Sequence, residues 1–142
     1  MEVIKAFTYP ITIVWKYTST SWQVYSSLAS LKSSILNNAL DQITTLSYSD
    51  GIWVFAEIGT SLNYQKSSKS SDYLQSYTNK WNLSGTQDDI ETSTLSCSGV
   101  APKSIWKYQN GSWQLNTKVS NTLGLKSFTT INANEGFWVE CQ

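Results

Sequence analysis

Apolar and polar positions alternate from residue 11 to 17, so that Ile11, Ile13, Trp15 and Tyr17 fall on one face at the period of a β-strand. Thr18-Ser19-Thr20 reads as a turn and residues 21–25 as the returning strand. The same pattern comes back as Ile105-Trp106-Lys107-Tyr108, a turn, then Ser112-Trp113-Gln114-Leu115. Both tryptophan pairs, Trp15 with Trp22 and Trp106 with Trp113, are seven residues apart. The second turn is Gln109-Asn110-Gly111, and Asn-Gly supplies the positive φ that a tight hairpin requires. A further block follows each copy. Ile43-Thr44-Thr45-Leu46 leads to Asp50-Gly51-Ile52-Trp53-Val54, and Phe128-Thr129-Thr130-Ile131 leads to Glu135-Gly136-Phe137-Trp138-Val139. Two blocks repeated in the same order indicate a duplicated unit.

Between the blocks of the first copy the period changes. Leu28, Leu31, Ile35, Leu36, Ala39 and Leu40 recur at steps of three and four, which predicts an amphipathic helix over 27–42 with Ser26 or Ser27 as N-cap. The corresponding stretch 116–126 is shorter, carries Gly124 and has no such stripe, so a loop is expected there. Residues 3–8, 43–48 and 52–58 read as further strands, with a break at Pro10. A serine-rich linker follows, centred on residues 67–71, in which Tyr73, Leu74 and Tyr77 have the spacing of one helical turn. Residues 80–86 then open the second unit as a strand and turn, and 88–95 read as a loop or short helix closing over the sheet. The fold expected is mainly β, a β-rich α+β arrangement of two diverged tandem repeats of antiparallel hairpins with one amphipathic helix in the first repeat. Its parts are a first unit over 1–58, a linker over 59–79 and a second unit over 80–142, together one compact pseudosymmetric domain.

Composition narrows the function. Charged residues make up 14% of the chain, against roughly a quarter in globular proteins, and the formal net charge is zero. There is no His and no Arg. Without Arg or excess positive charge, nucleic acid is a poor partner. No stretch approaches the roughly 20 apolar residues of a transmembrane helix, and the first residues lack the apolar core of a signal peptide. Aromatics reach 13%, including seven Trp. A chain poor in charge and rich in hydroxyls and rings suits an exported β-protein.

Reactive chemistry is thin. No His is present to serve a nucleophilic serine, and no nucleophile elbow or phosphate-binding loop occurs, so no catalytic residue, no metal site and no cofactor is expected. Asp88, Asp89 and Glu91 form an acidic cluster whose spacing does not match a calcium loop. Asp50 and Glu135 occupy equivalent places before Gly51 and Gly136, where turn chemistry explains them better than a glycosidase-like carboxylate pair. Cys97 and Cys141 have no CxxC partner and are read either as a disulfide or as two small buried thiols. Asn82-Leu83-Ser84 and Asn110-Gly111-Ser112 match the N-glycosylation pattern. Trp15, Trp53, Trp106 and Trp138 sit among β-branched and aromatic neighbours and are expected in the core. Trp22 and Trp113 begin their strands after a polar turn. With Tyr25 and Tyr108 beside them, they are the candidate ligand-binding residues, as platforms for a sugar ring.

Three segments of the second unit also carry a resemblance. Lys80-Trp81-Asn82-Leu83-Ser84-Gly85-Thr86, then Ile105-Trp106-Lys107-Tyr108 through Gly111-Ser112-Trp113, then Ile131 through Gly136-Phe137-Trp138-Val139 resembles an uncharacterised module of exported bacterial and archaeal proteins, whose text runs approximately GWNLIGT, IWxYxxGxW, GFWV. The first unit matches the last two blocks only, with Thr20 where that module prefers Gly. The resemblance implies an extracellular, cell-surface or periplasmic setting and brings no reaction. The function expected is therefore a non-catalytic structural or adhesion module of a surface or secreted protein, with glycans or other surface proteins as partners. The alternatives are a carbohydrate-binding module, or an accessory domain of an enzyme, viral coat or appendage.

Overall fold

The structure is a computed structural model and describes residues 12–18, 20–47, 50–56, 76–78, 80–118 and 120–142. The expected strand over 3–8 and the proposed turn partners Tyr73 and Leu74 lie outside the described residues, as does most of the linker. The first half carries β1 (Ile13–Tyr17), β2 (Trp22–Tyr25), α1 (Ala29–Asn37), β3 (Asp41–Gln42) and β4 (Ile52–Phe55). Then follow β5 (Ser76–Tyr77), β6 (Trp81–Gly85), β7 (Ile90–Glu91), β8 (Ser96–Cys97), β9 (Ser104–Gln109), β10 (Ser112–Thr117), β11 (Thr130–Ile131) and β12 (Gly136–Glu140). The protein is mainly β, as its alternation implies.

Two four-stranded sheets dominate, ordered β3-β2-β1-β4 and β10-β9-β12-β6. The triplets β2-β1-β4 and β10-β9-β12 place matching residues opposite one another. Trp15 faces Val24 and Trp53, while Trp106 faces Leu115 and Trp138. Lys16 faces Ile52, and Lys107 faces Phe137. The turns differ without shifting this register. Asn110 and Gly111 take φ of 52° and 78° in a two-residue hairpin turn, whereas the first hairpin pairs Tyr17 with Trp22 and is closed by the Thr18 N–H on the Ser21 carbonyl.

Residues directly opposite share a face of the sheet. The outer face of the first sheet packs Val14 with Ile43 and Leu46, flanked by Tyr25 and Ile52. The outer face of the second packs Ile105, Phe137 and Val139 with Leu95, Ile131 and Cys141. Short strands lie over that second core. β7 pairs with β11, and β5 runs parallel to β8, so Tyr77 belongs to a strand rather than a helical turn. Burial pushes the Tyr77 phenol well above its usual pKa, against a smaller downward pull from the Ser84 hydrogen bond.

Three expectations need correction. The helix is confined to Ala29–Asn37 because Asn38 closes it and Ala39 turns to a φ of 51°. Ile35 is its one buried residue, and Leu36 is exposed. Neither Ser26 nor Ser27 is its N-cap: that place falls to Leu28, no side chain caps the helix, and the Ser26 Oγ accepts the N–H of Leu28 just ahead of it at 3.1 Å. Of the strand expected over 43–48, the described residues 43–47 form no named strand; Asp41 and Gln42 pair with β2 instead, and Ile43 and Leu46 drop into the core from a loop. The third correction concerns the tryptophans and belongs to the site.

Candidate functional site

The faces opposite the two cores carry the aromatics. Alternation puts Trp15, Tyr17, Trp22 and Trp53 on the inner face of the first sheet, and Trp81, Trp106, Tyr108, Trp113 and Trp138 on that of the second. These faces meet. Trp138 lies 5.4 Å from Tyr17 and 5.8 Å from Trp22 between ring centroids. Trp53 lies 5.6 Å from Trp113 and 6.1 Å from Tyr108. The backbone holds the two sheets together at β4 and β6, where Asp50 bridges to Ser84 and Gly51 sits against the Ser84 backbone.

The expectation that Trp15, Trp53, Trp106 and Trp138 form the core does not hold. All are partly accessible, and Trp53 is 37% exposed. The physical reason is parity. Their sequence neighbours Val14, Ile105, Phe137 and Val139 point the other way and fill the cores. Facing each other across the seam between the two sheets, the rings remain partly covered.

A groove of about 520 Å³ opens along this seam, lined by Tyr17, Trp22, Trp81, Trp106, Trp113 and Trp138. The volume lies in the range of small-ligand sites, about 300–1,000 Å³. No lining residue carries a charge at neutral pH. The rings meet at steep angles, 82° for Trp81 on Trp138 and 80° for Trp106 on Trp113. The Trp106 Nε1–H donates to Ser104 Oγ at 2.8 Å, and Ser104 in turn donates to Glu140 at 2.6 Å. Glu140 also pairs with Lys103 at 2.7 Å. Its burial raises the carboxyl pKa, but the hydrogen bonds from Lys103 and Ser104, with the charges of Lys103 and Lys80, bring it below the ordinary value.

Three of the four candidate binding residues share the seam. Trp22 and Trp113 line the groove, 41% and 36% exposed, and Tyr108 lies beside Trp113 at 5.3 Å. Tyr25 does not join them. It falls opposite Val14, on the core side, with the Lys32 ammonium 5.9 Å from its ring centroid. Tyr17 lines the groove beside Trp22, at 5.1 Å, and Trp81, Trp106 and Trp138, which sequence did not assign to binding, complete the lining.

The charged residues do other work. Lys16 pairs with Asp50 and Lys107 with Glu135, each at 2.7 Å, on the outer faces. Each carboxylate also accepts a backbone N–H three residues upstream, from Ser47 at 2.7 Å and Asn132 at 2.8 Å. They are turn anchors, each bound to its own lysine. Burial pushes Glu135 upward, yet hydrogen bonds from Lys107 and Asn132 outweigh it and hold the carboxyl below its usual pKa. In the acidic cluster, Asp89 accepts the Ala133 N–H and Glu91 the Thr130 hydroxyl. Asn82 of the first glycosylation match is buried in β6, while Asn110 of the second is exposed at its turn.

Cys97 and Cys141 form a disulfide, with Cα atoms 5.7 Å apart. No helix among the described residues is long and apolar enough to cross a membrane. Comparison with family models, with curated proteins and with solved structures finds no match.

Proposed function

We propose that the chain is a non-catalytic adhesion module of a secreted or surface-exposed protein, built by duplication, and that it holds carbohydrate in the aromatic groove. The observation that carries this reading is the seam itself. Burying large apolar rings stabilises a fold, yet here most of the buried aliphatic residues fill two outer cores and the rings stand partly open in a shared groove. An exposed apolar surface of this kind marks a binding site. Apolar faces of sugar rings stack on aromatic platforms, and the uncharged lining suits a ligand without charge. The disulfide supports an oxidising compartment, and the resemblance to exported modules agrees with a location at the cell surface or in the periplasm.

The test is retention on insoluble polysaccharide. The native protein is expected to be retained on a neutral glucan or chitin matrix, and Trp22→Ala and Trp113→Ala to lose about tenfold or more in affinity, as removal of a stacking ring does. Retention that survives both substitutions would place the binding elsewhere and remove the reading.

A further inference from the structure

We infer that the groove takes an extended run of a neutral polysaccharide rather than a single sugar, an inference that rests on the carbohydrate reading. The first support is the extent of aromatic surface. Ring contacts run from Trp81 to Trp138 and on to Trp22, and past the cavity Trp113 touches Trp53, which touches Tyr108. Trp53 and Tyr108 lie outside the groove lining and are 37% and 50% exposed. A cavity for one sugar has no use for stacking surface beyond its mouth, whereas a chain ligand adds one stacked unit per ring, as single-stranded nucleic acids do on aromatic tracks.

The second support is the distribution of donors. The indole N–H groups of Trp22, Trp81, Trp113 and Trp138 bond no protein atom among the described residues, whereas that of Trp106 is taken by Ser104. A purely apolar ligand would leave these donors without acceptors wherever it covered them, at a cost. A sugar offers an apolar face for the ring and oxygens at its edge for the N–H.

The third support is charge. Lys16 and Lys107 point away from the seam to the cores, and Glu140, which shares the inner face opposite Trp81, is neutralised by Lys103. An anionic polymer would meet no free cation in the lining. A proline-rich peptide is the competing chain ligand, since it too combines rings with acceptors. Proline rings wedge between facing aromatics. Here no pair of groove-lining rings is parallel: Trp81–Trp138 and Trp106–Trp113 meet at 82° and 80°, and the pairs among Tyr17, Trp22 and Trp138 at 49° to 67°, so the lining offers no parallel-walled slot for such a wedge.

The experiment is calorimetric titration with β-1,4-linked oligomers of glucose and of N-acetylglucosamine, from monomer to hexamer, beside a proline-rich peptide, at low and high salt. Affinity is expected to rise about tenfold per added stacked unit over the first few units and to be indifferent to salt. Trp53→Ala, and more mildly Trp53→Phe, should weaken the hexamer while leaving the dimer unchanged. Equal affinity at every length, or Trp53 variants that bind the hexamer like the native chain, would overturn the extended track and leave the carbohydrate reading standing. Steep salt dependence would overturn the neutral ligand. No sugar binding at all, or tighter binding of the peptide, would remove both.

Discussion

Lysine in the middle of a Trp-Lys-Tyr strand is the residue whose role is least visible from its neighbours. Lys107 is 4% exposed, and its ammonium is bound by Glu135, by the Thr130 carbonyl at 3.2 Å and by the face of Phe128 at 4.9 Å. Removing one partner strands a buried charge, so Glu135→Ala should cost about 3 kcal/mol in chemical denaturation. The double change Lys107→Met with Glu135→Gln should recover most of that loss, because it leaves no charge to compensate. The same carboxyl sets an acid limit. Glu135 and Glu140 are both held below their unfolded value, so the stability they contribute is complete above about pH 4.3 and is lost as pH falls further, toward their folded values. A thermal midpoint that falls from pH 5 to pH 3, and falls less in Glu140→Gln, is the expected result. The sequence shows Asp50 and Glu135 as turn residues at matching places. It does not show their lysines, because the partner lies about 30 residues away in the chain and contact across strands has no local periodicity.

At the scale of elements, strand identity was readable and strand facing was only half read. The hairpins β1–β2 and β9–β10 follow from alternation and turn chemistry, as does β12 after its Asn-Glu-Gly turn. Periodicity carries the expected helix past Asn37 because Ala39 and Leu40 continue the stripe, but Asn38 closes it and Leu40 is exposed. Alternation fixes which residues share a face but not which face becomes the core, and hydrophobicity alone assigned the core to tryptophan. The contact of β4 with β6 had no signal at all. It depends on Gly51, where an added Cβ would lie 2.5 Å from the Ser84 carbonyl oxygen and 2.6 Å from its amide nitrogen, both backbone atoms that cannot swing aside. Gly51→Ala should therefore cost about 1–3 kcal/mol, as overpacking does. An unchanged denaturation midpoint would mean that the two sheets are not held at this point.

Over the whole molecule, two small aliphatic cores lie outside and the aromatic seam lies between them, the reverse of a sandwich packed through its middle. Each sheet thus closes its own outer face with local loops, and the second relies on the disulfide to do so. The Cys97–Cys141 bridge ties the end of β8 to the residue after β12, 44 positions along the chain. Reduction, or Cys141→Ser, should cost about 2–5 kcal/mol, read as a lower midpoint in denaturant with reductant present. A mid-chain cysteine with a C-terminal one left both a bridge and two free thiols open from sequence, since proximity depends on β9 and β12 being neighbours. The seam has a further property that follows from its geometry. Indole rings 5.6 to 6.4 Å apart and steeply inclined, as in Trp53–Trp113, Trp22–Trp138 and Trp106–Trp113, have coupled electronic transitions rather than independent ones. The chromophore of this protein is then the array and not the residue. Its ultraviolet circular dichroism is therefore expected to carry split bands whose sign and size depend on ring angles, so that anything entering the seam and turning one indole would be recorded in the optical activity of the others, with no label attached.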